Sequence, residues 1–136
     1  MTTYVSSVVP ADISDISGIV LENVPCDATV YVGAAVRMNA SGVAFNALAD
    51  GVANSNVIGI VQSKSGSELC DIRVTGVSPE IMIGLDVTKE YYLSSTVAGG
   101  LTTIPPTTGG TVRLKLGQPF SATRFLVIKG ERVIRN

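Results

Sequence analysis

Turn-forming residues punctuate this chain so often that no long helix fits between them. From Gly18 onward, clusters of Gly, Asn, Asp, Ser and Pro recur roughly every eight to twelve positions, separating short runs rich in Val, Ile, Tyr, Phe and Thr. No segment sustains the period of about 3.6 residues that an amphipathic helix needs. The spacing predicts an all-β fold, a single small β-sandwich or barrel-like domain over residues 21–136, preceded by an extended N-terminal arm over residues 1–20.

The individual runs sharpen that expectation. Val57-Ile58-Gly59-Ile60-Val61 is unbroken apolar sequence, as in a strand covered on both faces. In the run from Leu69, the residues Cys70, Ile72 and Val74 alternate with Asp71 and Arg73, which predicts a half-buried strand with the two charges outward. Val112, Leu114 and Leu116 alternate with Arg113 and Lys115 in the same way, and Phe125 to Ile128 is the last strong strand. Val30 to Met38 reads as a strand interrupted by Gly33, and Asn39 to Gly42 as the turn into Val43–Ala47. Ala47 to Asn54 reads as a loop or one helical turn, and Lys64 to Ser67 as a turn. Adjacent strand residues point to opposite faces, so one of Tyr91 and Tyr92 is expected inside and the other toward solvent or a partner. The tail Glu131 to Asn136 keeps β-type alternation and is expected to pair, with its own sheet or with another subunit.

Charge narrows the function classes. Charged residues are 15% of the 136, well under the roughly 25% of an ordinary soluble domain. Such a surface is covered by Ser, Thr, Asn and Gly, or is hidden against neighbours as in an assembly. The net charge of −1 argues against a nucleic-acid binder, which needs clustered Lys and Arg in excess. Its distribution is uneven. Residues 1–112 hold four basic groups against ten acidic, a net of −6, whereas residues 113–136 hold six basic groups against Glu131 alone, a net of +5. Opposed halves of this kind can steer one copy onto another, or a basic edge onto an acidic surface. The bland alternative is that they are solvent-facing positions on terminal strands.

No stretch approaches the roughly 20 apolar residues of a membrane span. Met1 to Val5 lacks the basic start of a secretory signal, so the expectation is a soluble protein made in the cytoplasm. Residues 1–20 contain a repeated Asp-Ile-Ser and the apolar side chains Val8, Val9, Ile13, Ile16, Ile19 and Val20. They fit either a frayed terminus or an arm laid across a neighbouring subunit.

Catalytic chemistry finds little to use. The absence of histidine removes the commonest general base and metal ligand. Carboxylate pairs such as Asp71 with Glu80 or Asp86 with Glu90 sit in turns or at outward strand positions, and a domain this small has no wall for a sugar cleft. Gly99-Gly100 and Gly109-Gly110 lack phosphate-loop spacing, and Asp50, Asn54 and Asn56 lack the carboxylate density of a tight calcium site. Cys26 and Cys70 have no metal-ligand spacing and read as buried small hydrophobes. No cofactor or metal is expected.

The last third carries a more specific pattern. Tyr91-Tyr92-Leu93-Ser94-Ser95 runs through Ala98-Gly99-Gly100-Leu101-Thr102-Thr103 to Pro105-Pro106-Thr107-Thr108-Gly109, followed by Val112 to Gly117 and by Ser121-Ala122-Thr123-Arg124-Phe125-Leu126. Over roughly Gly59 to Val127 this resembles a module that recurs in phage head-decoration, head-fibre and tail-fibre proteins. The resemblance implies a non-enzymatic virion structural protein on the head surface that decorates and stabilises the capsid. It also implies partnership with the major capsid protein and with further copies of itself in a homotrimer, through an N-terminal arm. The contact residues expected on that view are Tyr4, Val8, Val9, Ile13 and Ile16 in the arm, with Arg124, Lys129, Arg132 and Arg135 at the basic end. A tail-associated connector, baseplate or short-fibre protein is the alternative within the same resemblance. A carbohydrate-binding module is the alternative outside it, and requires an exposed Tyr31 or Tyr92 flanked by Asn and Asp.

Overall fold

The computed structural model describes residues 18–135. Among them the strands are β1 (Val20–Pro25), β2 (Ala35–Met38), β3 (Ala44–Asn46), β4 (Val57–Gly66), β5 (Leu69–Arg73) and β6 (Gly76–Val77). They continue with β7 (Tyr91–Leu93), β8 (Leu101–Thr102), β9 (Val112–Arg113), β10 (Lys115–Pro119), β11 (Phe125–Val127) and β12 (Val133–Ile134). There is no helix among the described residues, and the 47–54 segment is turn, with Leu48 N–H donating to Asn54 O at 2.9 Å.

The strands form two five-stranded antiparallel sheets, in the orders β1-β5-β4-β2-β3 and β6-β11-β10-β7-β8, with a two-stranded ribbon of β12 and β9. The first sheet curls until its edges touch at one bridge, Cys26 to Ala44, and stops short of a closed barrel. That curl explains the apolar run in β4. On one side Val57 and Ile60 join Ala35, Leu93, Leu114, Leu116 and Phe125 in the core between the sheets. On the other, Val61 joins Val36, Cys70 and Ile72 in a second core inside the curl. A strand serving both must be apolar at successive positions rather than alternate ones.

Several local expectations need correction. Val30 to Ala34 is a turn, closed by Ala34 N–H donating to Tyr31 O at 3.0 Å, so β2 begins only at Ala35. The β4–β5 turn shrinks to Ser67-Glu68, because β4 stays paired as far as Gly66. Ile128 lies beyond β11 and is exposed. Arg73 is not outward but buried, where its Nε donates to Gln62 Oε1 at 2.9 Å and a terminal nitrogen donates to Thr75 O at 3.2 Å. Burial of a guanidinium is tolerable when its donors are used. The arm boundary also moves: Val20 already pairs with Arg73, and Val74 N–H donates to Ile19 O at 2.8 Å.

The alternation of Val112, Leu114 and Leu116 points all three into the core, with Arg113 and Lys115 outside, as expected. The C-terminal tail pairs within its own chain. Val133 lies opposite Arg113, and Ile134 lies opposite Val112.

Candidate interaction surfaces

The four basic residues singled out near the C-terminus do not gather into one patch. Each donates to a backbone carbonyl of a distant segment: Arg124 Nε to Ser78 O at 3.0 Å, Lys129 Nζ to Val57 O at 2.8 Å, Arg132 to Val52 O at 3.0 Å and Arg135 Nε to Pro106 O at 3.2 Å. Lys129 and Arg132 converge on the loop around Ser55, whereas Arg124 also lies over the Phe120 ring at 5.3 Å. Long cationic side chains in these positions tie the last strands to the body of the domain. Tyr4, Val8, Val9, Ile13 and Ile16 lie outside the described residues.

The outer face of the second sheet shows how the acidic and basic halves meet. Tyr92 and Lys115 are cross-strand partners, and Arg113 lies over the Tyr92 ring at 5.3 Å. The Tyr92 hydroxyl donates to Glu90 Oε1 at 3.3 Å, and Lys115 Nζ reaches Glu90 Oε2 at 2.7 Å. Tyr92 is therefore only 8% exposed, covered by Arg113 rather than turned to solvent, while Tyr91 packs edge-on against Phe125. Both rings are buried, against the expectation of one inside and one out.

Lys115 beside Glu90 holds its carboxyl below the usual range. A carboxylate with a depressed folded value binds fewer protons folded than unfolded. Its contribution is thus present above about pH 4.5 and lost as pH falls through the folded value. Lys115→Met is expected to move the Glu90 carboxyl titration, followed by NMR, back up toward the ordinary value. It should change stability little, because solvent screens an exposed ion pair.

Three aspartates accept hydrogen bonds from backbone or side-chain donors. Asp71 accepts from Asn23 N–H and from Ser63 Oγ at 2.9 Å each, Asp86 accepts from Thr88, and Asp50 accepts from Asn54 Nδ2 at 3.0 Å. Among the described residues no group of three His, Cys, Asp or Glu side chains could hold a metal ion, and no helix is long and apolar enough to cross a membrane. Cys26 and Cys70 are free and buried in the second core, where burial, followed by a hydrogen bond with Cys26, pushes the Cys70 thiol up to about 12.

Two apolar features escaped the sequence reading. The first is a set of large side chains presented on loops around the β7–β8 edge of the second sheet: Ile83 is 90% exposed and Ile104 77%, with Val87 and Val97 also exposed. Ile83 and Leu101 line one hollow, and Val87 with Pro105 the next. An apolar residue set beside the Gly or Pro of a polar turn, as in Ile83-Gly84 and Ile104-Pro105, was the available signal.

The second feature is an apolar cleft of about 460 Å³ at the seam of the two sheets, lined by Gly18, Ile58, Val74, Leu126, Ile128 and Lys129 among others. Gly59 also lines it. A Cβ there would lie 2.3 Å from Arg73 O, so β4 and β5 approach more closely than any side chain permits. Compared with family models, curated proteins and solved structures, the chain matches none.

Proposed function

We propose that this protein is a non-enzymatic phage virion component that binds the outer surface of the capsid, decorating and stabilising it. Its partners on this reading are the major capsid protein and further copies of the same chain, as a homotrimer. The observation that carries the reading is the display of Ile83, Val87, Val97 and Ile104 on loops of a charge-poor all-β domain. Large apolar side chains left exposed on loops are what contact with another macromolecule would bury. The resemblance of residues 59–127 to decoration and fibre modules supplies the kind of partner.

Affinity in such a system comes from repetition. A standard specific interface buries about 1,600 Å², and several modest contacts to one lattice multiply into firm attachment. Immunogold labelling of virions from an infected-cell lysate tests the reading. Gold over the head supports it, whereas gold confined to the tail replaces it with a connector or short-fibre role.

The contact residues are testable separately. Ile83→Asp with Ile104→Asp is expected to leave the fold intact, since both side chains are largely solvent-exposed. Occupancy on particles, measured by co-sedimentation, should fall about tenfold or more, the equivalent of about 1.4 kcal/mol. Unchanged occupancy would remove these loops from the interface.

A carbohydrate-binding reading retains one supporting observation. Tyr31 is 42% exposed and stands beside the Asn46 side chain at the Gly99 turn, with its hydroxyl donating to Ala98 O at 2.9 Å. Heat on titrating host polysaccharide into the pure protein would support it.

A further inference from the structure

We infer that the free edge of β12 pairs with β12 of a second copy, antiparallel about a two-fold axis through Val133, so that Glu131 of each copy faces Arg135 of the other. This goes beyond the proposed virion role. A two-fold contact joins one copy to one other, so it is separate from the homotrimer of that reading and stands or falls independently of it.

An open strand edge with apolar β-branched residues invites another strand. The other sheet edges among the described residues are closed or half-buried: β1 and β3 meet at the Cys26–Ala44 bridge, and the residues of β6 and β8 are half-buried. β12 differs. It pairs with β9 alone, and Val133 and Ile134 are 48% and 54% exposed.

The backbone of β12 is set for the pairing. Val133 lies opposite Arg113, and Arg135 N–H donates to Thr111 O at 2.8 Å, so the polar groups of Val133 and Arg135 turn toward β9. Those of the residue between them turn the other way. Ile134 N–H and C=O therefore face away from β9, as does Arg132 C=O, which opposes Val133 N–H across one planar trans peptide. With Val133 on the axis, Ile134 N–H of each copy meets Arg132 C=O of the other.

Side chains select that register. Centring on Val133 sets Glu131 opposite Arg135 on both sides of the axis, with Val133 opposite Val133 between them. Centring on Arg132 instead sets Arg132 against itself and Lys129 against Arg135. Opposite charges directly across a ladder stabilise it, and like charges weaken it. Glu131 is exposed and lines a hollow with Val133, Arg113 and Lys115, where Lys115 is already taken by Glu90 and Arg113 lies over the Tyr92 ring. Arg135 spends its Nε on Pro106 O, which leaves its two terminal nitrogens for a carboxylate. A ladder of a few residues buries less than the roughly 1,200–2,000 Å² of a lasting complex between free molecules. Copies held side by side in an assembly supply the missing affinity.

The test is cross-linking of the full chain bearing Val133→Cys, the native cysteines being buried. Directly opposed residues between the hydrogen-bonded pairs have Cα atoms about 4.5 Å apart, a span that a disulfide bridges. Ile134 lies opposite Arg132 and about 7–8 Å from its own copy. In oxidised glutathione, Val133→Cys is expected to form disulfide-linked dimer about tenfold faster than Ile134→Cys. Adding Glu131→Arg to the Val133→Cys chain is expected to slow the reaction severalfold. An equal mixture of that chain with a Val133→Cys chain carrying Arg135→Glu is expected to give the mixed dimer, identified by its mass, in preference to either like dimer. Equal rates at positions 133 and 134 overturn the inference, because random collision would then account for the product. A mixed dimer at no more than its statistical share overturns it as well. Urea midpoints report that each variant is folded, and should Arg135→Glu fail there, the Glu131→Arg rate decides alone: no slowing overturns the inference.

Discussion

Gly117→Ala is expected to destabilise the domain by about 3 kcal/mol or more, seen as a lower midpoint of urea unfolding at unchanged slope. Gly117 lies in β10, at the centre of the second sheet, paired with Tyr91 on one side and Val127 on the other. Its φ of +151° is one that side chains avoid, and a Cβ would meet Leu126 O at 2.0 Å. The contact is with backbone, so no rotamer change relieves it. Relief requires β10 and β11 to part, which breaks the ladder from Gly117 to Pro119 and opens the core beneath it. Domains of this size are stable by about 5–15 kcal/mol in total, so a substantial share would be lost. A loss below about 1 kcal/mol would show that the β10 irregularity between Lys115 and Gly117 absorbs the methyl group.

Phe125→Ala is expected to cost about 3–5 kcal/mol by the same measurement, with Phe125→Leu costing less. Phe125 is the largest of the fully buried side chains, and it stands edge-on to Tyr91 with ring centroids 5.9 Å apart. Tyr91 in turn accepts the Asp86 N–H at its hydroxyl at 2.8 Å, which ties the 81–90 loop to the core. Removing the Phe125 ring therefore leaves a cavity at the centre of the main core and withdraws support from a loop that carries Ile83. On the proposed capsid role, particle occupancy should fall together with stability in Phe125→Ala, and without it in the Ile83 and Ile104 variant. That contrast separates residues that shape the interaction surface from residues that form it. If Phe125→Ala were as stable as Phe125→Leu, the core would be collapsing around the missing ring rather than holding a cavity.

The reach of the sequence into this structure follows the range of the interactions involved. Period-two alternation is local, and it placed Val112, Leu114 and Leu116 inward with Arg113 and Lys115 outward before any fold was known. Turn chemistry is equally local. The Asn39 to Gly42 turn forms as read, with Asn39 Oδ1 accepting the N–H groups of Ser41 and Val43 at 2.9 Å each. The unbroken apolar run of β4 announced burial on both faces, and both cores lie where that run requires them.

What the sequence could not express is which distant segment covers a given side chain. Arg73 and Tyr92 have the residue type and register of outward positions, yet Gln62 and Thr75 enclose one and Arg113 lies over the other. Arg124, Lys129, Arg132 and Arg135 look like a basic patch in one dimension. In three each clasps a carbonyl 29 to 80 positions away along the chain, and only Lys129 and Arg132 meet, at the loop around Ser55. The all-β class, the hairpins and the facing of individual strands were determined by neighbours in sequence, because steric and turn preferences act over a few residues. The curl of the first sheet, the cleft at its seam with the second and the exposure of Ile83 and Ile104 were decided only by tertiary structure, because they depend on which surfaces remain uncovered once every strand has found its partner.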